Sequence, residues 1–202
     1  MTEFKPWPKT PRLNRNITVT EKIDGTNAAV QIEDLGEIAP GDPVADDVVV
    51  EEGFAYRVTA QSRKRLIYPG DDNYGFAGWV RANAAALVEI LGEGCHYGEW
   101  WGSGIQRGYG LTKGEKRFSL FNVHRYRDVG DRLPGLGVVP TIFEGDFSAE
   151  GIDGSLATLR QMGSVAAPGF DRPEGVIVYH SAARSVFKVL LEGDDHPKGN
   201  AA

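Results

Sequence analysis

The 202-residue chain is 41% hydrophobic and 25% charged, as is usual for a globular protein, and we expect one domain over residues 1–202. Its single cysteine, Cys95, excludes a disulfide within the chain and favours a reducing cytoplasm. The apolar runs of the sequence are short, so we expect neither a membrane-spanning segment nor a signal peptide.

Charge is distributed unevenly along the sequence. The net charge of -6 argues mildly against a nucleic-acid partner. However, residues 57–127 hold 11 basic and 6 acidic side chains, whereas residues 1–56 hold 5 and 11, and residues 128–202 hold 6 and 11. The middle third is therefore suited to present a basic face to phosphates, although a charged surface that contacts only solvent gives the same counts.

Two short strand patterns flank a lysine in the first third of the chain. An arm rich in proline, lysine and arginine leads to alternating β-branched residues at 17–20, and a second such run follows at 28–32. Asp24 and the glycine after it are typical of a turn, so Lys22 is predicted near the tip of a strand. On its own, this Lys-x-Asp-Gly pattern favours an ordinary hairpin beside a solvated lysine.

The middle of the chain combines a surface segment, a strand and a helix pattern. The acidic residues 33–53 predict a loop or a long hairpin tip. Alternation returns at 54–61 as a strand, which ends in the basic residues 62–65. Apolar residues at helical spacing over 76–91, preceded by aspartates and followed by Gly92, predict a helix.

The second half contains further strand patterns and a glycine-rich aromatic segment. In that segment, Glu99 lies between a glycine and two tryptophans. Such an acid is either paired in the core or in contact with a ligand, because an unpaired buried charge is costly. A short helix is predicted at 156–162, and strands are predicted at 117–126, 138–143, 176–179 and 185–191. These elements predict an α+β domain of antiparallel β-sheets flanked by helices, not a doubly wound parallel sheet.

Six short motifs succeed one another along the chain. They are EKIDGTN at 21–27, Arg63 in QSRKR, Glu99 in HYGEWWG, Phe121 in FSLFNV, Glu174 in PEGVIV and Lys188 in VFKVL. Their order and spacing resemble the covalent nucleotidyltransferase superfamily, which contains ATP-dependent DNA and RNA ligases and mRNA capping enzymes. EKIDGTN and GEWWGSGIQ are most similar to the RNA ligase 2-type branch, whose members seal RNA breaks. The resemblance implies an ATP-grasp-like nucleotidyltransferase domain.

The resemblance also implies a mechanism, that of an ATP-dependent RNA ligase. The amine of Lys22 would attack the α-phosphorus of ATP, forming lysyl-AMP and releasing pyrophosphate. AMP would then pass to a 5′-phosphate, and a 3′-hydroxyl would displace it to seal the strand. The attacking amine must be neutral, and nearby cations and partial desolvation favour the neutral form. Arg63 and Lys188 are the candidate cations, which would also neutralise phosphate oxygens.

The same resemblance assigns the nucleoside contacts. Glu21 would accept a hydrogen bond from the adenine amino group, and Glu99 would bind the ribose hydroxyls. Phe121 would stack on the adenine, although an inward-facing core aromatic gives the same pattern. Asn27 would contact the phosphate or ribose region.

For the metal, the resemblance implies that Glu174 binds a divalent cation, Mg²⁺ or Mn²⁺, with Asp24 in the metal's outer shell. Magnesium prefers oxygen ligands and retained waters, and it bridges naturally to phosphate.

The sequence departs from the branch at three points. Leu190 stands where the branch usually has a second basic residue after Lys188, and Lys198 is an alternative source of that charge. Asn122 stands where an acid usually follows the stacking aromatic. Few residues follow Lys188, so we expect a minimal, monomeric ligase without the OB domain of DNA ligases.

Two other functions remain open from the sequence. A DNA ligase uses the same chemistry, although the expected lack of an OB domain argues against it. A non-catalytic module that binds nucleotide or nucleic acid could retain the fold, and Leu190 is the residue that best supports this alternative. A capping guanylyltransferase is disfavoured because Glu21 suits adenine.

Overall fold

The computed structural model describes residues 2–72 and 74–193. The strands are β1 (Asn16–Lys22), β2 (Thr26–Glu37), β3 (Val48–Glu51), β4 (Phe54–Ser62), β5 (Leu66–Ile67), β6 (Gly94–Gly102), β7 (Lys116–Leu120), β8 (Leu136–Val138), β9 (Thr141–Asp146), β10 (Gly175–His180) and β11 (Ser185–Leu190). The helices are α1 (Phe76–Ala82), α2 (Ala84–Leu91) and α3 (Ala149–Met162), and a 3-10 turn covers Gly108–Gly110. None of the helices in these described ranges is long and apolar enough to cross a membrane.

The strands form two sheets. The smaller sheet has the order β11-β10-β1-β9, and every neighbouring pair in it is antiparallel. The larger sheet has the order β3-β4-β2-β6-β7-β8, with β5 beside β4, and it is antiparallel except for the β7–β8 pair. The predicted α+β class with antiparallel sheets flanked by helices is therefore confirmed.

Local side-chain chemistry moves two of the predicted helix boundaries. The predicted helix over 76–91 is divided at Asn83, whose Nδ2 donates to the Trp79 carbonyl at 2.7 Å and so competes with the helical backbone bonds. Helix α3 begins earlier than the predicted 156–162, because the Ser148 Oγ accepts from the Gly151 amide at 3.0 Å and caps it.

Two predicted loop and strand boundaries are also refined by the structure. Within the acidic segment 33–53, β2 continues to Glu37, and after a loop β3 pairs with β4 on the side away from β2. The strand predicted over 117–126 ends at Leu120. There the Asn122 Oδ1 accepts from the Arg125 amide at 3.1 Å, which favours a turn.

Each sheet buries one face against helices. The larger sheet packs on α1 and α2 through residues such as Val30 and Phe118, which are fully buried. The smaller sheet packs on α3 through residues such as Val19, Leu159 and Val176. Burial of these apolar faces provides the main favourable free energy of the fold.

The second faces of the two sheets meet at one end and form a cleft. Because side chains alternate along a strand, Thr18, Thr20 and Lys22 point away from α3, on the opposite face from Val19. A small apolar cluster joins the sheets there, and it contains Ile23, Trp101, Tyr109, Val139 and Ala167. The cleft beside this cluster contains the candidate site.

Candidate active site

The Lys-x-Asp-Gly motif connects the two sheets. β1 pairs with β9 and β10 in the smaller sheet, whereas β2, which begins at Thr26, pairs with β4 and β6 in the larger sheet. The motif is therefore not the ordinary hairpin that its sequence alone favours. Gly25 is required at the crossing, since a Cβ there would lie 2.5 Å from the Trp100 carbonyl oxygen and 2.8 Å from the Trp101 Cβ.

Lys22 and Glu174 form an ion pair at the end of the smaller sheet. The Lys22 Nζ donates to the Glu174 Oε2, and the side chains are 23% and 10% exposed. Lys22 is in register with Gly175 on β10, so the residue just before that strand lies beside the lysine. Strand pairing thus brings together two motifs that are far apart in sequence.

Glu99 reaches the same place from the larger sheet. Its Oε1 accepts from the Gly25 amide at 3.1 Å, in the turn that follows Lys22 and contains Asp24 and Gly25, which we call the lysine turn. Burial raises the pKa of Glu99 to about 7, with Lys22 opposing the rise and the carboxylates of Glu174 and Asp24 adding to it. The side chain is consequently able to exchange a proton near neutral pH.

Asp24 forms hydrogen bonds with Arg107 and Tyr109, two residues that the sequence did not single out. The Arg107 Nε donates to the Asp24 Oδ2 at 3.1 Å, while its Nη1 donates to the Pro173 carbonyl at 3.2 Å, just before Glu174. The Asp24 amide donates to the Tyr109 hydroxyl at 2.9 Å. These contacts connect the lysine turn to the segment that carries Glu174.

Tyr109 is itself held in an uncommon backbone conformation. Its φ of 50° is rare for an aromatic residue, and its ring stacks on Phe170 with centroids 4.5 Å apart. Burial raises the pKa of Tyr109, so its hydroxyl stays neutral. A tyrosine between Gly108 and Gly110 was the one local sequence signal for such a residue, because the flanking glycines permit a tight turn.

The Glu21 side chain accepts hydrogen bonds from the protein itself. Because successive side chains alternate, Glu21 points to the opposite face from Lys22, and it is 1% exposed. The Ser164 hydroxyl donates to its Oε1 at 2.6 Å, and the amides of Val165 and Ala166 donate to its Oε2 at 2.8 Å each. The carboxylate therefore anchors the segment after α3.

Asn27 and Phe121 lie on the cleft side of the larger sheet. Asn27 is the direct cross-strand partner of Glu99, and the two side chains share a face. The Phe121 amide donates to the Tyr97 carbonyl at 3.0 Å, continuing the β6–β7 pairing, and its ring is 39% exposed. An accessible aromatic side chain therefore borders the same face as Glu99.

The two candidate cations reach the cleft from different sheets. Arg63 is exposed and follows Ser62, the partner of Ala28, so it lies at the end of the larger sheet that carries Asn27. Lys188 is exposed on the smaller sheet and shares a face with Lys22. From strand spacing, the Cα atoms of Lys188 and Lys22 are roughly 12 Å apart.

Leu190 occupies the position nearest to Lys22 on β11. Gly175 is in register with both Lys22 and Leu190, so a single residue without a side chain separates them in the sheet. The departure noticed in the sequence therefore falls at the centre of the site. Lys198, the alternative source of charge, lies outside the described residues.

Two acidic side chains of the cleft, the candidate metal ligands, are paired with cations. Glu174 is paired with Lys22 and Asp24 with Arg107. Among residues 2–72 and 74–193, no group of three or more His, Cys, Asp or Glu side chains is placed to hold a metal ion. A cation at Glu174 would therefore depend on waters and ligand oxygens for most of its coordination.

Comparison with known proteins gives the family and a set of similar folds. A family model described as RNA ligase matches residues 15–190. A solved mutant of the Naegleria gruberi RNA ligase with ATP and Mn is similar at 15% identity and TM-score 0.56, over 89% of this chain and 51% of that one. An apo mutant of the same ligase matches at 18% identity and TM-score 0.53, over 88% of this chain and 50% of that one. No curated protein matches.

The solved structures and the family model contribute different conclusions. The chain spans about half the length of the Naegleria ligase structures, and at these identities the similarity concerns the fold. The family model covers most of the chain, from the start of β1 to the end of β11. By that match, the chain belongs to the RNA ligase family.

Proposed function

We propose that the protein is an ATP-dependent RNA ligase that joins 3′-hydroxyl and 5′-phosphate ends through a lysyl-AMP intermediate on Lys22. The observation that carries the proposal is the convergence at one turn of the Lys22 amine, the Glu174 carboxylate and Glu99. Family membership supports the same reaction. The Naegleria gruberi ligase, which has the same fold, was solved with ATP and Mn and with AMP and Mn.

In the first step, the Lys22 nitrogen forms a bond to the α-phosphorus of ATP, and the bond from that phosphorus to the pyrophosphate oxygen breaks. The amine must be neutral to attack, so its contact with the Glu174 carboxylate has to be broken first. Arg63 and Lys188 supply positive charge for the phosphate oxygens from the two sides of the cleft.

The larger sheet is suited to hold the nucleoside. Glu99, whose carboxyl is buried at the turn, would bind the ribose hydroxyls, and its partner Asn27 would contact the ribose or phosphate region. Phe121 offers an exposed ring for stacking on the base. The Glu21 side chain has no part in this scheme, because its oxygens are bound by the protein.

A divalent cation fits the chemistry of the site. The carboxylates of Glu174 and Asp24 are the hard oxygen donors that Mg²⁺ and Mn²⁺ prefer, and both side chains border the cleft. Bound there, the metal would neutralise phosphate charge and orient the pyrophosphate. A cation held by Glu174 would compete with Lys22 for that carboxylate.

The later steps transfer the nucleotide to RNA. A 5′-phosphate oxygen attacks the phosphorus of lysyl-AMP, which breaks the nitrogen–phosphorus bond and returns the amine to Lys22. The 3′-hydroxyl then attacks the activated 5′-phosphate, forming the phosphodiester and releasing AMP. Both steps are phosphoryl transfers, in which positioning and charge neutralisation provide the catalysis.

The decisive experiment is covalent labelling. The protein is incubated with α-labelled ATP and Mg²⁺ or Mn²⁺, and acid-stable label on the protein is measured. We expect label on the wild type and on Lys5→Ala, which changes an exposed lysine outside the cleft, and none on Lys22→Ala. No label on the wild type, or equal label on Lys22→Ala, would contradict the proposal. Sealing of nicked RNA, nicked DNA and open single strands then identifies the substrate.

One observation favours a second function, that of a non-catalytic nucleotide-binding module. Leu190 leaves the position nearest to Lys22 without the positive charge that the RNA ligase branch usually has there. Under this alternative, ATP binds in a calorimetric titration but leaves no covalent label, and Lys22→Ala binds ATP comparably.

A further inference from the structure

A basic and aromatic segment, which we call the arm, precedes β1 and covers residues 2–15. It contains four cations, Lys5, Lys9, Arg12 and Arg15, against one carboxylate, although the whole chain has a net charge of -6. Every residue of the arm is exposed. The proposed cleft chemistry uses none of these side chains, so the arm's charge requires another explanation.

The arm also displays two aromatic rings to solvent. Phe4 is 86% exposed and Trp7 is 89% exposed, the highest values among the large hydrophobic residues described. The prolines among them, Pro6, Pro8 and Pro11, favour extended polyproline II backbone. With three residues per turn and a rise of about 3.1 Å, that geometry places residues 4 and 7 on one side, about 9 Å apart.

The position of the arm relative to Lys22 is fixed at its inner end. The His180 Nε2 donates to the Leu13 carbonyl at 2.7 Å, and the Phe147 amide donates to the Arg15 carbonyl at 3.0 Å. From this anchor β1 runs from Asn16 to Lys22, a rise of about 20 Å. That distance equals about six steps of a stacked strand at 3.4 Å each.

An exposed aromatic and an exposed cation lie between the arm and Lys22. Tyr179 pairs with Thr18 and is 38% exposed, on the same face of the smaller sheet as Lys22. Lys188 follows on that face, one step closer to the nucleophile. The face between the arm's anchor and Lys22 thus carries an exposed ring and a cation, together with the carboxylate of Glu144, which lies 3.7 Å from the His124 Nε2.

We propose that the arm and Tyr179 bind an unpaired strand of the nucleic-acid substrate and lead its end to Lys22; this inference rests on the proposed ligase function. Rings that stack on bases and cations that neutralise phosphates are the two elements of single-strand binding sites. A membrane surface fits less well, because interfacial binding uses an amphipathic helix and the arm has no helical residues.

The first test compares binding with self-adenylylation. Affinity for a 5′-phosphorylated twelve-nucleotide single strand, as RNA and as DNA, is measured for Phe4→Ala/Trp7→Ala by fluorescence anisotropy. Since stacking contributes about 1–3 kcal/mol per base, we expect a loss of about 10-fold or more. The control Phe54→Ala, an exposed aromatic at the far hairpin tip, should bind as the wild type does. Lysyl-AMP formation should be unchanged in both variants.

The possible outcomes separate the two proposals. Single-strand affinity within twofold of the wild type in Phe4→Ala/Trp7→Ala overturns the role of the arm, and normal lysyl-AMP formation in that variant leaves the ligase proposal standing. Conversely, a wild type that binds the strand but forms no lysyl-AMP refutes the ligase and the delivery of the strand to Lys22. The proposal is also overturned if Phe4→Ala/Trp7→Ala loses affinity for a blunt duplex as much as for the single strand. It is likewise overturned if the wild type binds phosphatidylserine vesicles tightly but does not bind the strand.

Two further measurements report on the arm directly. Trp7 is exposed, whereas Trp79 is half-buried and Trp100 and Trp101 are buried, so the emission of Trp7 should be quenched by the strand and protected from acrylamide. Replacing Lys5, Lys9 and Arg12 by alanine should make the slope of log affinity against log salt shallower by about 2, given about 0.7 per phosphate contact. An unchanged slope, or an unquenched Trp7, overturns the proposal.

Discussion

Removing the hydroxyl of Tyr109 offers a direct examination of how the lysine turn is held. Tyr109→Phe keeps the ring on Phe170 but deletes the acceptor of the Asp24 amide, a hydrogen bond of 2.9 Å. An amide left without a partner in a partly buried place costs about 1–3 kcal/mol. For a chain of this size, each kcal/mol lowers Tm by about 2–4 °C. We therefore expect a Tm about 2–12 °C below that of the wild type.

The same change should slow lysine adenylylation, because Asp24 is two residues from the nucleophile and its turn loses a fixed contact. A loss of about 1–2 kcal/mol in positioning corresponds to about 5- to 30-fold in single-turnover rate. The matched control is Tyr126→Phe, which deletes a buried hydroxyl bonded to the His96 Nδ1 at 2.7 Å, in the core on the other face of the larger sheet.

We expect the Tyr126→Phe control to lose comparable stability but to keep its adenylylation rate. Both quantities are measured at saturating ATP, with Tm from circular dichroism. If Tyr109→Phe adenylylates as fast as the wild type, or if both variants are slowed equally, then the hydroxyl of Tyr109 does not position the lysine turn.

Three further predictions concern other parts of the site. Because burial raises the pKa of Glu99 to about 7, its carboxyl opposes folding progressively as pH rises from about 4.5 through 7. In urea denaturation, Glu99→Gln should therefore be more stable than the wild type by up to about 2–3 kcal/mol at pH 8, and it should not be more stable at pH 4. Gly25→Ala should lose about 2 kcal/mol or more through overpacking, whereas Gly137→Ala, which has open space around it, should stay within about 0.5 kcal/mol. Leu190→Lys should speed adenylylation by about 10-fold, because it adds a positive charge beside the phosphates. The control Val186→Lys, on the same face of β11 but farther from Lys22, should not change the rate.

Each of these predictions has a clear contradiction. A pH-independent stability difference for Glu99→Gln would exclude a buried carboxyl that titrates near neutral pH. Equal stability of the two glycine variants would mean that the turn can open to admit a methyl group. A slower or unchanged reaction in Leu190→Lys would show that the missing charge is irrelevant to the first step.

The sequence predicted the main strands well, because strand alternation is a short-range pattern. Alternation along β1 and β2 and the order of the motifs needed no three-dimensional information. Where the prediction was wrong or incomplete, a local side chain usually intervened. Asn83 divides one helix by bonding to the backbone, and Ser148 starts another helix earlier than its apolar pattern does.

Long-range contacts explain what the sequence could not predict. The Asp24 amide and the Tyr109 hydroxyl are 85 residues apart, and the Ser164 contact to Glu21 spans 143 residues. No local pattern encodes such pairings, so the three hydrogen bonds that the Glu21 carboxylate accepts inside the protein could not be predicted. Strand alternation next to Lys22 was the available clue, since adjacent residues of a strand point to opposite faces.

The crossing of the chain between the sheets has a mechanical consequence. The nucleophile belongs to the smaller sheet, while Glu99, Asn27 and Phe121 belong to the larger one. A nucleotide bonded covalently to Lys22 and bound by those three residues would link the two sheets across the cleft. Adenylylation would then stiffen the whole molecule, and transfer of AMP to the strand would release it.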